Sequence, residues 1–295
     1  MHKAVGLPAS AHQLVSVIYN RDITTVEVLQ DVKVINNLYV VIFKSSKSCS
    51  PFSYGKNIYD FEDGTLVFTA PGQVMEFNQA NAGDDQSIDP DGWSLAFHPE
   101  LFRKSDLAER IDRYSFFYYD ANEALHISNQ ERQTIEELLE KIIYEYSQRP
   151  DRHSQHLIVS NIELFLDYCL RFYDRQFFSR TNLNQDILSK FERLLTRYFQ
   201  SIQAHQKGIP SVEFCAGELN LSPKYLSDLL KRATGKTTQE HIHHFLIEKA
   251  KVTLLNSSAT ISEIGYSLGF EYPQHFSNLF KLKTGYSPRE YRNLN

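Results

Sequence analysis

Hydrophobic positions change their period once along this chain, near residue 125. Up to about residue 120 they fall in short β-branched and aromatic runs. LYVVIFKSS (38–46) predicts one strand, and GTLVFTAPGQVMEF (64–77) predicts two around a Pro71-Gly72 turn. DPDGWSLAFHPELF (89–102) predicts a turn, a strand and a short helix opened by Pro99, with His98 at the strand-to-helix turn. Residues 78–92 contain NAGDDQ and read as a loop. Short strands at close intervals, punctuated by Gly, Pro, Asn and Asp, predict a small β-barrel or sandwich.

Beyond residue 125 the spacing becomes helical. Ser128 and Glu131 form a capping-box pattern. Ile135, Leu138, Leu139, Ile142, Ile143 and Tyr146 follow as one continuous stripe. That stripe fits either a dimer seam or a core face, and Ile135, Leu138, Ile142 and Tyr146 are its candidate dimer contacts. The next helix, about 153–178, is apolar around much of its girth, with Leu157, Ile158, Ile162, Phe165, Leu166, Cys169 and Phe172. SRTNLNQD (179–186) reads as a polar break. The resulting division is 1–124, 125–185 and 186–295, in an α+β chain whose last part is all helical.

The last part repeats itself. Val212, Cys215, Ala216, Leu219, Asn220 and Leu221 recur 49 residues later as Ile261, Ile264, Gly265, Leu268, Gly269 and Phe270. After one inserted residue the offset is 50. Leu226, Ser227, Leu229, Leu230, Lys231, Thr234, Gly235 and Glu240 then match Phe276, Ser277, Leu279, Phe280, Lys281, Thr284, Gly285 and Glu290. Each copy, about 211–234 and 260–284, has the grammar of a helix-turn-helix. A short helix ends on a residue that tolerates positive φ, Asn220 or Gly269. Leu221 or Phe270 plugs the turn, and a small residue, Ala216 or Gly265, lets the second helix cross closely. That helix opens at Pro223 or Pro273, where a missing N–H costs nothing. Thr260 with Glu263 adds a capping box in the second copy.

The second helices carry the candidate chemistry. Phe276, Leu279 and Phe280 form a buried stripe, while Gln274, Ser277, Asn278 and Lys281 face the other way. The equivalent outward residues of the first copy are Lys224, Ser227, Asp228 and Lys231. A helix-turn-helix presents the N-terminal part of its second helix to the major groove of double-stranded DNA. Gln and Asn bond bidentately to adenine, Lys reaches the acceptors of guanine, Asp accepts from cytosine, and Ser serves either role. Lys231 and Lys281, one turn further along, suit phosphate. Between the copies TTQEHIHHFLIEKAKVTLLN (237–256) predicts one helix with Ile242, Phe245, Leu246, Ala250 and Leu254 inside. It would span roughly 25–30 Å, a strut matched to the ~34 Å between successive major grooves. His241, His243 and His244 lie on it, with no acidic or thiol partner near in sequence, so surface and phosphate contact are expected rather than metal.

Composition changes this picture little. The chain is 42% hydrophobic and 23% charged, enough to build real cores. No run approaches the roughly 18 apolar residues of a membrane span. The N-terminal MHKAVGLPASAHQLVSV does not resemble a secretory signal, and Cys49, Cys169 and Cys215 form no CxxC pair, which suits free thiols in a cytoplasm. The net charge of −5 is uneven: residues 186–295 hold 14 basic and 10 acidic side chains, a balance of +4, and the remainder is at −9. The sign suits a polyanion, although many domains with no nucleic-acid role carry as much.

TISEIGYSLGFEYPQHFSNLFKLKTGYSPREYRN (260–293) resembles the signature of the AraC/XylS family of bacterial transcription regulators. The match includes the Gly269-Phe270 turn, the Phe276…Phe280-Lys281 helix, Gly285 and the Pro288-x-x-Tyr291-Arg292 ending. LNLSPKYLSDLLKRATG (219–235) resembles the family's first helix-turn-helix. Gly265 departs from the pattern, where the family more often has Ala. The resemblance covers about residues 186–295. It implies a cupin-like β-barrel that binds a small-molecule effector, helices that form a homodimer, and action on RNA polymerase, with a lean towards activation. Phe52, Tyr54, Phe68 and Trp93 are candidate effector contacts, or simply core. Metal-dependent cupins use an H-x-H…E…H pattern, whereas the first 120 residues hold only His2, His12 and His98, far apart. No cofactor is called for. An enzyme with a tethering helical domain, or a protein-interaction module, is the competing reading. Against the first stands the lack of a nucleophile–base pair, a P-loop or a GxGxxG before a helix; against the second stand the polar outward faces.

Overall fold

The computed structural model describes residues 7, 10–23, 32–45, 64–77, 89–201 and 203–293. The chain forms two compact units, Met1–Phe178 and Ser179–Asn295.

In the first unit, β1 (Val15–Tyr19), β3 (Tyr39–Ser45), β4 (Gly64–Thr69), β6 (Trp93–Phe97) and β7 (Leu125–Ile127) make an antiparallel sheet in the order β1-β6-β3-β4-β7. β2 (Val32–Ile35) pairs with β5 (Val74–Phe77) as a separate ribbon. The expected Pro71-Gly72 turn is present, with Gly72 at φ 85°. The two strands it joins nevertheless separate, β4 into the sheet and β5 into the ribbon. Pro99 opens a 3₁₀ turn, Pro99–Leu101, and His98 Nδ1 accepts from the Glu100 N–H at 3.1 Å, as its place in the sequence suggested.

Register explains the sheet's inner face. Phe43 lies opposite Trp93 and Leu66, and Val41 opposite Leu95 and Phe68, all buried. Phe43 stacks on Trp93 at 5.5 Å between centroids. The helix α3 (Ser154–Ser179; α1 is the single turn Leu107–Arg110 and α2 is Asn129–Ser147) brings Phe165 edge-on to Trp93 and stacks Tyr173 on Phe116. Phe116 in turn lies 4.4 Å from Phe68. α2 packs on β1 and starts with the expected Ser128–Glu131 capping box. Arg175 of α3 donates to both carboxylate oxygens of Glu131, at 3.0 and 2.8 Å, and to the His126 carbonyl at 2.7 Å. This fork ties α3, α2 and β7 together.

The second unit is helical: α4 (Thr181–Gln200), α5 (Gln203–Lys207), α6 (Val212–Glu218), α7 (Pro223–Thr234), α8 (Thr238–Asn256), α9 (Ile261–Ser267), α10 (Pro273–Thr284) and α11 (Pro288–Arg292). The stretch 179–186 is not an extended break, and a boundary at 186 falls inside α4. That stretch contains neither Gly nor Pro, and Arg180 (φ −91°, ψ 25°) alone separates α3 from α4. α8 follows its predicted span. Its N-cap is Thr237, and it buries Ile242, Leu246, Ile247, Ala250 and Leu254, while Phe245 is half-buried and stacked on Phe199. At 1.5 Å per residue, α8 is about 28 Å long.

Candidate nucleic-acid interface

Two helix pairs, α6–α7 and α9–α10, end their first helix in the same way. The Leu221 N–H donates to the Ala216 carbonyl (3.0 Å) and the Asn220 N–H to that of Gly217 (3.1 Å). The Phe270 N–H donates to Gly265 (3.1 Å) and the Gly269 N–H to Tyr266 (3.0 Å). This nested closure needs a left-handed residue at its corner. Asn220 supplies φ 55° and Gly269 φ 86°, at the two predicted positions. Both second helices have Pro in their first turn and a left-handed glycine after their last, Gly235 at φ 78° and Gly285 at φ 83°. The repeat then continues: Thr237–Glu240 caps α8 as Ser287–Glu290 caps α11.

One side of each second helix is anchored. Tyr225, Leu226, Leu229 and Leu230 are buried on α7, and Phe276 and Phe280 on α10. Leu279, expected in the buried stripe, is half-buried. The opposite side carries the predicted residues. Lys224, Lys231, Gln274, Asn278 and Lys281 are exposed, and Ser227, Asp228 and Ser277 are half-buried. The Ser277 hydroxyl donates to the Pro273 carbonyl at 3.1 Å, so its remaining capacity is as an acceptor. Absent from the predicted set are Lys236 and Lys283, which line a groove against α8. Their signal was faint, because lysines at or just beyond a helix C-terminus are ordinary, and both helices carry other basic residues in their last turn.

The scaffold around these helices is closed by polar contacts to helix ends. Lys249 donates to the Phe199 carbonyl at the end of α4 (2.6 Å), and burial holds its ammonium pKa down. Arg292 donates to the carbonyls of Leu254 (3.2 Å) and Ala259 (2.6 Å), which gives the family-like Arg292 a structural task. Backbone N–H groups of Thr237, Thr260 and Ser287 hold Glu240, Glu263 and Glu290 below the usual carboxylate range. His241 Nε2 is hydrogen-bonded to the Thr234 hydroxyl at 2.7 Å, and that hydroxyl also lies 2.8 Å from the Leu230 carbonyl. Burial lowers the pKa of His241 and of His243.

The other candidate residues lie in the first unit. Phe68 (3% exposed) and Trp93 (1%) are core, in van der Waals contact with aromatic neighbours. Phe52 and Tyr54 lie outside the described residues. Ile135, Leu138 and Ile142 are buried in their own unit, on the helix that packs against β1. Tyr146 is half-buried and bonded to the backbone of Val17. This stripe is therefore a core face, which removes the area a dimer seam would need there.

The profile of a helix-turn-helix domain matches residues 215–294, from inside α6 to beyond α11. The transcriptional activator RhaS of Escherichia coli (strain K12 / DH10B) is 36% identical over 77 residues, 26% of this chain and 28% of RhaS. Residues 215–294 form an AraC-type helix-turn-helix domain. The chain thus spans little more than a quarter of the length of the relatives it matches. Among solved structures, the C-terminal domain of AraT, a response regulator from Geobacillus stearothermophilus, is 33% identical to the chain, covering 34% of it and 84% of that domain, with a TM-score of 0.30. The C-terminal domain of the response regulator yesN from Fusobacterium nucleatum is 25% identical, covering 37% and 99%, with a TM-score of 0.33. The AraC-type domain here includes all of the outward-facing residues named above.

Proposed function

We propose that this chain is a sequence-specific DNA-binding transcriptional regulator whose α7 and α10 enter adjacent major grooves as the reading helices of two helix-turn-helix units. The observation that carries this is the doubled helix pair, each copy anchored by one face and offering short polar side chains on the other. In this reading Lys224, Ser227 and Asp228 contact one block of bases and Gln274, Ser277 and Asn278 the other. Lys231 and Lys281 hold phosphate. The likeness to RhaS, named as an activator, supports activation, and with it action on RNA polymerase from a site in the cytoplasm. The β-rich first unit is read as a cupin-like regulatory domain, and a homodimer as the working form; with the α2 stripe committed to its own core, dimer contacts would fall elsewhere.

Substitution separates base reading from general attraction to DNA. Asn278→Ala and Lys224→Ala are each expected to weaken binding to a specific site by roughly 1–3 kcal/mol and to leave random duplex nearly unchanged. Equal losses on both duplexes would remove these residues from base reading.

A further inference from the structure

We infer that the groove along α8, between the C-terminal ends of α7 and α10, is a sequence-independent seat for the DNA phosphate backbone between the two blocks that the reading helices contact. This rests on the reading of α7 and α10 given above and adds a third contact surface to it.

The groove encloses about 290 Å³ and takes Lys236, His244, Lys251 and Lys283 along its length, with Ile247 buried beside them. Its two carboxylates are already engaged. Glu240 accepts from the Thr237 N–H (2.8 Å) and hydroxyl (3.1 Å) as the cap of α8, and Glu248 is ion-paired with Lys251 at 2.7 Å. Lys236 and Lys283 are exposed, and neither reaches a carboxylate within ion-pair distance among the described residues. By charge the groove holds three ammonium groups, Lys236, Lys251 and Lys283, against the two carboxylates of Glu240 and Glu248, so its balance is positive and suits an anion. Its position favours DNA. Lys231, on the outward face of α7, and Lys283, on α10, both lie close enough to Glu240 to help hold its carboxyl down. The groove thus lies between the two reading helices. Two helices in successive major grooves on one face of a duplex leave a minor groove and its flanking phosphates between them.

The ordinary alternative is that Lys236 and Lys283 only offset the negative ends of α7 and α10. The two assignments differ in what salt does to affinity. Each phosphate neutralised contributes about 0.9 to the slope of log K against log salt. The test uses the full chain, wild type and the double variant K236Q/K283Q, with K104Q in the first unit as a control cation. Affinity is measured from about 50 to 200 mM salt for a selected site and for a scrambled duplex. The expected result is a slope shallower by about 2 for the double variant on both duplexes, with their affinity ratio unchanged and K104Q like wild type. An unchanged slope would overturn the assignment, and most plainly so if the double variant also melts lower, as loss of helix-end neutralisation would cause. A changed ratio would overturn it too, because it would make these lysines base readers. If wild type itself shows no salt-dependent affinity for either duplex, the DNA-binding reading falls, and this inference falls with it.

Discussion

Asn220 and Gly269 occupy matching corners of the two helix pairs, yet they are not interchangeable. Both adopt positive φ. Gly269 also faces the chain preceding α6: a Cβ there would sit 2.8 Å from the Gly208 carbonyl carbon and 3.0 Å from the oxygens of Ala204 and Gly208. Backbone atoms cannot swing away as a side-chain tip can. The left-handed conformation costs Ala about 1–2 kcal/mol, and overpacking adds about 1–3. Gly269→Ala is therefore expected to cost about 2–5 kcal/mol. Gly269→Asn separates the two terms, since Asn tolerates the conformation as Asn220 does, and the overlap alone should cost about 1–3 kcal/mol. The reverse change, Asn220→Gly, should stay within about 0.5 kcal/mol. Urea unfolding of the full chain, followed by far-ultraviolet circular dichroism, measures these losses. Trp93 is the single tryptophan and lies in the first unit, so its fluorescence reports that unit separately. A Gly269→Asn variant as stable as Asn220→Gly would refute the steric argument.

Three further outcomes follow from the packing. Gly265→Ala should stabilise the second unit by about 0.5–1 kcal/mol, because a Cβ there meets Phe276 and Pro273 at 3.4–3.5 Å, ordinary contact distance in a helix; a lower unfolding midpoint would contradict it. Phe68→Ala should cost about 3–5 kcal/mol, seen as an earlier Trp93 transition, as befits core rather than a ligand wall. His241 has a folded pKa below its ordinary 6.5, so its contribution is present above about pH 6.5 and is lost as pH falls through the lowered value. Thermal melts between pH 7 and 5 should therefore fall less steeply for His241→Gln than for wild type.

The second unit was legible because its signals are local. Pro223, Pro273, Asn220, Gly235, Gly269 and Gly285 each fix a backbone conformation within a few residues, and the 49–50 residue repeat shows those signals twice. The strands Tyr39–Ser45 and Trp93–Phe97 were legible for the same reason. What failed was long-range. Nothing beside Pro71-Gly72 tells that β4 and β5 join different sheets. The α2 stripe looks alike whether it meets β1 or a second subunit. The polar run 179–186 misled because polar residues without Gly or Pro leave a helix intact. The close approach of Gly208 and Gly269 joins residues 61 apart in sequence and belongs only to the folded unit.

The central claim is that two helices read two blocks of one DNA site. Selection of bound duplexes from a randomised pool, with the full chain at about 150 mM salt, tests it most directly. The account predicts an enriched site with two base blocks about one helical turn, roughly 10.5 base pairs, apart, the second block losing its preference in Asn278→Ala. A pool that stays random, or a single block indifferent to Asn278, would contradict it.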